Sequence, residues 1–357
     1  MSVSRHYLYP LCVALLFVVS DDAAAGEPGK PHEFVAVHMG MPVRIVMYPP
    51  DEPTARLAAS AAFTRVAALD AMMSDYRPDS EVRRLAHRPR EWVTVSAELF
   101  AVVRRAVDIA RASDGAFDPT IGPVVALWRD ARRTGRLPDP AAIHAARVLV
   151  GWRHIGLDAG RPAIRLAIPG MLLDLGGIAK GYILQDALRT LRTAGVSRAL
   201  VEAGGDIVVG DAPPGLEGWQ IDTPGSNAAF SARAGRLANA ALATSGATAQ
   251  FVEVDGIRYS HVVDPRTGLG VTHDLIARVI ADDGGTADAV ATALSVRGGE
   301  LQPGLAVLRL RGVVASVHRE PRPPRLDASA GADGWNEESL LTDGFELACI
   351  SKEDVCP

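Results

Sequence analysis

Cysteine is scarce in this chain. Of the 3 present, Cys12 lies in an N-terminal apolar run, and Cys349 and Cys356 sit close together in a polar tail. A cysteine-rich metal site is thereby excluded, while in an oxidising compartment the last two could close a small local disulfide. A basic surplus is also missing: the net charge of -5 leaves no electrostatic footprint for nucleic acid. The apolar run from Leu8 to Val19 falls short of the ~20 residues a comfortable membrane span needs. With Arg5 and His6 before it and Ala23-Ala24-Ala25 after it, the run has the order of a secretory signal peptide. Three familiar signatures are absent as well. Without G-x-G-x-x-G a Rossmann oxidoreductase is disfavoured. Without G-x-S-x-G there is no nucleophile elbow, and without G-x-x-x-x-G-K-[ST] no Walker A loop.

What remains is a chain of 357 residues, 48% hydrophobic and 22% charged, with the composition of a soluble globular enzyme. We read residues 1–25 as the leader, 26–33 as a linker, 34–348 as one folded unit and 349–357 as a tail. Strands are expected at Phe34–Val37 and Val43–Tyr48 around a turn at 38–42, and in two short pieces between Ala199 and Val209. Phe251–Val263 reads as a hairpin with Asp255-Gly256 as its type I′ turn. Helices are expected over Thr54–Tyr76, where Val66, Leu69, Met73 and Tyr76 recur at helical spacing, and from a Ser96 cap to Ala112. Others are expected within Asp174–Gly195 and over Thr286–Val296, with Thr286 as the cap of the last. Arg319–Arg325, rich in Pro and Arg, reads as an exposed loop. Hairpins mixed with helices give an α+β fold rather than a regular βαβ array.

Four clusters carry chemistry. Asp114-Gly115-Ala116-Phe117-Asp118-Pro119-Thr120 is a tight, acidic turn, equally compatible with an ordinary connection. Asp174-Leu175-Gly176-Gly177-Ile178-Ala179-Lys180-Gly181 brings glycines and a helix start together, where a ligand can approach the backbone and unpaired N–H groups suit an anion. Lys180, read as part of the first helical turn, opposes the helix dipole unless an anion answers it. Asp288 and Thr292, at i and i+4, share one helix face and offer the hard oxygens that Mg²⁺ prefers; a threonine bonding back to its own helix is the bland alternative. Ser260-His261-Val262-Val263-Asp264-Pro265-Arg266-Thr267-Gly268 ends the hairpin with a histidine that titrates near neutrality and an aspartate that could simply open a turn.

These clusters, in this order, resemble the ApbE family of FAD:protein FMN transferases. The resemblance starts at His38-Met39-Gly40-Met41, continues through Met73-Ser74-Asp75-Tyr76 and Ser80-Glu81-Val82, and takes in DGAFDPTIGPVVALW from Asp114 and DLGGIAKGY from Asp174. It extends through EAGGDIVVG from Glu202, ATSG from Ala243, YSHVVDPRTG from Tyr259 and ADAVATAL from Ala287. It implies an ApbE-like, T-fold-related, two-lobed architecture with mixed and antiparallel sheets. Residues matching the family's FAD contacts are Met39, Tyr76, Ala116, Phe117, Asp118, Asp174, Lys180 and Val262. Gly177 through its carbonyl, with Asp288 and Thr292, matches the family's Mg²⁺ site. His261 matches the histidine near the reacting phosphate. The implied reaction moves FMN from FAD to a threonine of another protein and releases AMP, with Lys180 neutralising phosphate charge and His261 or Asp264 taking the threonine proton. The implied acceptor is an exported redox or respiratory subunit bearing an S/T-G-A-T-like motif, met in the periplasm or on the outer face of the inner membrane. One alternative uses the same residues, a Mg²⁺-dependent FAD pyrophosphatase giving FMN and AMP; the other, a non-catalytic FAD-binding protein, would be favoured by loss of Asp288, Thr292 or Lys180, all of which are present.

Overall fold

A computed structural model describes residues 29–246, 250–308 and 310–317. The expected leader, the Arg319–Arg325 loop and the C-terminal cysteines lie outside the described residues. The chain opens with β1 (His32–His38) and β2 (Met41–Met47), then α1 (Glu52–Met73), α2 (Glu81–Ala86), β3 (Val93–Thr94) and α3 (Ala97–Ala112). Next come α4 (Gly122–Thr134), α5 (Pro140–Arg147), β4 (Ile155–Leu157), β5 (Ala163–Leu166), α6 (Gly176–Thr193), β6 (Ala199–Ala203) and β7 (Asp206–Val209). The described chain ends with α7 (Ala228–Ala234), β8 (Ala240–Gly246), β9 (Phe251–Val254), β10 (Ile257–Ser260), β11 (Leu275–Ala281), α8 (Gly284–Val296) and β12 (Leu310–Val317).

Seven strands form one sheet in the order β1-β2-β6-β7-β8-β11-β12, with every neighbouring pair antiparallel. Alternation along each strand divides the core. Val43, Ile45 and Met47 of β2, Val201 and Ala203 of β6, and Ala277 and Val279 of β11 join the main core with α1, α3, α6 and α8. Val46, Leu200 and Ile280 point to the opposite face, into a smaller cluster around Trp219 and Phe230. Three two-residue turns hold the strand ends in register: Met39-Gly40, Gly204-Gly205 and Asp255-Gly256, all with φ between 53° and 82°. Positive φ at both positions is what a type I′ hairpin requires, so the turn expected at Asp255-Gly256 is present.

Several boundaries differ from the sequence-based expectation. The first long helix ends at Met73, with Asp51 as its cap, so Tyr76 lies beyond it and is exposed. Ser96 caps α3 as expected. Thr286 is not the cap of α8: Asp283 fills that role, accepting from the Thr286 amide at 2.8 Å and from its hydroxyl at 2.6 Å. The helix begins three residues earlier than expected because Asp283 accepts from the Thr286 amide as a cap does, leaving Thr286 inside the first turn.

The crossing of α6 and α8 positions the chemistry. At Gly181 an added Cβ would stand 2.1 Å from the Gly284 carbonyl oxygen, and at Gly284 one would stand 2.2 Å from that of Gly181. The two backbones therefore touch, which only glycine permits. Gly181→Ala is expected to cost about 1–3 kcal/mol through overpacking. Thermal unfolding followed by circular dichroism should then show Tm lowered by several degrees; an unchanged Tm would mean the helices have room to part.

Candidate active site

The α6–α8 crossing brings Lys180 beside two buried carboxylates. Lys180 Nζ lies 2.9 Å from Asp206 Oδ2 and 3.3 Å from the Gly204 carbonyl oxygen. Asp206, 1% exposed, also accepts from the Thr244 amide at 3.1 Å. Lys180 is the fifth residue of α6 rather than part of its first turn, and the anion that answers it inside the protein is Asp206. Burial alone would lower the lysine's pKa; the charges of Asp206 and Asp288 outweigh it and hold the ammonium above its ordinary value.

Asp288 is the surplus charge. It sits in α8, a helix buried along nearly its whole length, where an ionised side chain is costly. Its Oδ2 accepts from the Gly181 amide at 3.1 Å. Burial first, and the neighbouring Asp206 second, push its pKa up to about 7 against the opposing pull of Lys180. One lysine thus faces two carboxylates, and the cluster keeps a negative charge unless a proton or a cation is added.

Gly177 shows how the backbone is adapted here. Its φ of -90° and ψ of 17° break the helical pattern inside α6. In a regular helix the Gly181 N–H would bond to the Gly177 carbonyl; here that donor serves Asp288. Thr292 closes the group, since a Cβ on Gly177 would lie 3.0 Å from Thr292 Oγ1 and 3.3 Å from the Phe117 ring. Among the described residues the Thr292 hydroxyl makes no bond back to its own helix. The Asp288 carboxylate and the Thr292 hydroxyl of α8 therefore adjoin the distorted start of α6 at this crossing. Among the described residues no three His, Cys, Asp or Glu side chains come together as a metal site, so any cation here must draw on this mixed oxygen set.

The hairpin β9–β10 supplies His261. Its amide donates to the Gln250 carbonyl at 2.9 Å, and Nδ1 lies 3.2 Å from the same oxygen. A carbonyl can only accept, so Nδ1 carries the proton and Nε2 is left as an acceptor. Burial is the main cause holding its pKa below the ordinary 6.5, assisted by the positive charges of Arg132 and Lys180 and opposed by the Gln250 bond. Asp264 is differently placed: Oδ1 takes the Arg266 amide and Nε, both at 2.9 Å, and Oδ2 takes Nη2 at 2.7 Å. Both its oxygens are engaged in that turn. Val262 is buried, its amide donating to Ser260 Oγ at 3.1 Å.

A second group surrounds Tyr76, whose side chain is 72% exposed. The Arg129 guanidinium stacks on its ring at 4.1 Å. That guanidinium pairs with Asp75 and, at 3.0 Å, with Asp174. Asp174 in turn accepts from the Gly176 amide at 2.8 Å at the start of α6. Met39 lies half-buried in the β1–β2 turn with φ 54°.

Asp118 is a loop-building residue in this structure. Its Oδ1 accepts from the Thr120 amide at 2.9 Å and hydroxyl at 2.6 Å, and its Oδ2 from the Trp152 amide at 3.0 Å. Ala116 and Phe117 are buried beside it. Asp118→Ala would strand these buried donors, at an expected cost of about 2–4 kcal/mol. Urea unfolding would show the loss as a lower midpoint with an unchanged slope.

The structure thus gathers Lys180, Gly177, Asp288, Thr292 and Phe117 at one crossing. Asp174 and Tyr76 are joined through Arg129, and His261 lies within electrostatic reach of Lys180. Sequence reasoning did not single out Asp206, Arg129 or Arg132. Asp206 was visible as the acid following the double glycine of EAGGD, and the arginines as an i, i+3 pair.

A buried oxygen cluster beside a lysine, with a neutral histidine at hand, defines the class: an α+β transferase built to manage charge on phosphate. The pattern of the ApbE family matches residues 39–316. The chain belongs to the ApbE family. It is 33% identical over 290 residues to a FAD:protein FMN transferase of Klebsiella pneumoniae (strain 342), covering 80% of this chain and 88% of that one. A FAD:protein FMN transferase of Treponema pallidum (strain Nichols) is 33% identical over 292 residues, covering 77% and 80%. Among solved structures, the apo form of the Pseudomonas stutzeri flavinyl transferase ApbE aligns with a TM-score of 0.69 at 29% identity, over 84% of this chain and 94% of that one. The ApbE protein of Thermotoga maritima aligns with a TM-score of 0.67 at 30% identity, over 76% and 88%.

Proposed function

We propose that this chain is a Mg²⁺-dependent FAD:protein FMN transferase that attaches FMN to a threonine of an exported protein. The observation that carries the metal dependence is Asp288, a buried carboxylate left over after Lys180 and Asp206 have paired. Asp288, Thr292 and the Gly177 carbonyl fit a small hard cation and would hold it. When bound, Mg²⁺ neutralises charge on the phosphate oxygens and fixes their geometry.

The rest of the chemistry belongs to the protein's own residues. Lys180, held by Asp206, presents a fixed positive charge to the phosphate. His261 accepts the proton of the threonine hydroxyl at Nε2 as the threonine oxygen bonds to the FMN-side phosphorus. The bond from that phosphorus to the bridging oxygen breaks, and AMP leaves. Asp264, saturated by Arg266, shapes the turn that carries His261 rather than taking the proton. Tyr76 and Met39 flank the place where FAD binds, with Asp174 orienting Arg129 and the segment Ala116–Asp118 forming its wall beside Val262.

The leader pattern between Arg5 and Ala25 supports export, which would bring the enzyme to the periplasm or the outer face of the inner membrane. There it would meet redox or respiratory subunits carrying an S/T-G-A-T-like motif. The test is incubation with FAD, Mg²⁺ and such an acceptor. Covalent flavin fluorescence on the acceptor with stoichiometric AMP is the expected result. Free FMN with an unlabelled acceptor would replace transfer by hydrolysis, and neither product would reduce the chain to a flavin-binding protein.

A further inference from the structure

Arg132 carries a charge that no carboxylate among the described residues meets in an ion pair. It lies in α4, half-buried, and its Nη1 is buried with no hydrogen-bond partner among the described residues. A buried donor left unpaired costs about 1–3 kcal/mol, more when charged, so such a group is retained only where something else satisfies it. Arg129 provides the internal comparison. It stands three residues earlier on the same helix face and is answered twice, by Asp75 and Asp174. Arg132 forms no ion pair with any described residue.

Its neighbours show where the spare donor sits. Arg132 stands one helical turn from Arg129, which stacks on Tyr76 and pairs with Asp174, and its charge also acts on His261. The residue is thus common to the group around Tyr76 and the group around the imidazole. Arg129 differs in that both its Nη atoms are paired with acids and its planar face with the Tyr76 ring, leaving only its Nε buried without a partner among the described residues.

We propose that Arg132 is a substrate-binding residue whose Nη1 donates to a non-bridging oxygen of the donor's diphosphate, giving the site its preference for a dinucleotide over a phosphate-free flavin. Guanidinium suits this task through charge-assisted, directional bonds to phosphate oxygens. The inference rests on the donor being FAD, as proposed above.

The experiment compares the full chain with Arg132→Gln and Arg132→Lys, each titrated with FAD, ADP and riboflavin in the presence of Mg²⁺ by calorimetry. In Arg132→Gln, Kd for FAD and for ADP should rise about tenfold or more, the size of one charge-assisted bond, while riboflavin binding stays unchanged. Arg132→Lys should recover part of the loss. Equal weakening of riboflavin and FAD would show a structural role and overturn the proposal, as would FAD and ADP affinities that do not move. Failure of the unmodified chain to bind FAD at all would instead strike the donor assignment itself, and is read from a separate titration.

Discussion

His261→Ala is expected to lower the rate of AMP release by about 10²–10⁴ while leaving FAD binding nearly unchanged, as removal of a positioned general base should. The imidazole is well suited to the role. The Gln250 carbonyl fixes its tautomer, and burial with two nearby cations keeps it neutral at physiological pH. The sign of the pH dependence follows. The active form is the unprotonated ring, so kcat/KM should be flat above 6.5 and fall only at lower pH, since the residue's pKa lies beneath that ordinary value. The residual activity of His261→Ala should lose this acidic limb. Single-turnover AMP release and flavin fluorescence titration measure the two quantities separately. Full transfer by the alanine variant would assign the proton to another acceptor.

The second large effect is at Asp288. Asp288→Asn keeps the size of the side chain and removes its charge. Activity should fall by about 10²–10³, and added Mg²⁺, expected to raise Tm of the unmodified chain, should leave that of the variant unchanged. The metal-free proteins should differ in the opposite direction. In the folded state the Asp288 carboxyl keeps its proton up to about 7, whereas its unperturbed value is 3.8. Between these values the native state holds more protons than the unfolded chain, so stability falls as pH rises through the window. Asparagine flattens that slope. Thermal unfolding of metal-free protein at several pH values would detect the difference, and identical slopes would show that Asp288 is ionised throughout.

Much of this arrangement could be read from local sequence, and the reasons are local as well. Asp255-Gly256 and the turn around Met39-Gly40 announce themselves because positive φ restricts the residues allowed. Ser96 is legible because a cap bonds within its own turn. Asp288 and Thr292 could be placed on one face of α8 because helix periodicity alone decides which residues share it. What could not be read depends on chain segments that meet only after folding. The counter-ion of Lys180 comes from β7, across the sheet, so helix-dipole reasoning asked for an anion without naming Asp206. Arg129 and Arg132 looked alike in sequence. Only the positions of Asp75 and Asp174 neutralise the first and leave the second unanswered. Asp118 illustrates the reverse case: its resemblance to a ligand position is clear, yet the folded chain uses both its oxygens to tie one loop to another.

The contact between Gly181 and Gly284 has a consequence for ion choice. Two backbones already touching cannot move closer, and Asp288 is tethered to one of them through the Gly181 amide. The distance between the oxygens of α6 and those of α8 is therefore a fixed gauge rather than an adjustable grip. Mg²⁺ binds oxygens at roughly 2.0–2.1 Å and Ca²⁺ at roughly 2.3–2.6 Å with more ligands. For the cation proposed above, a rigid gauge of this kind would select by radius, so calcium is expected to bind there more weakly than magnesium.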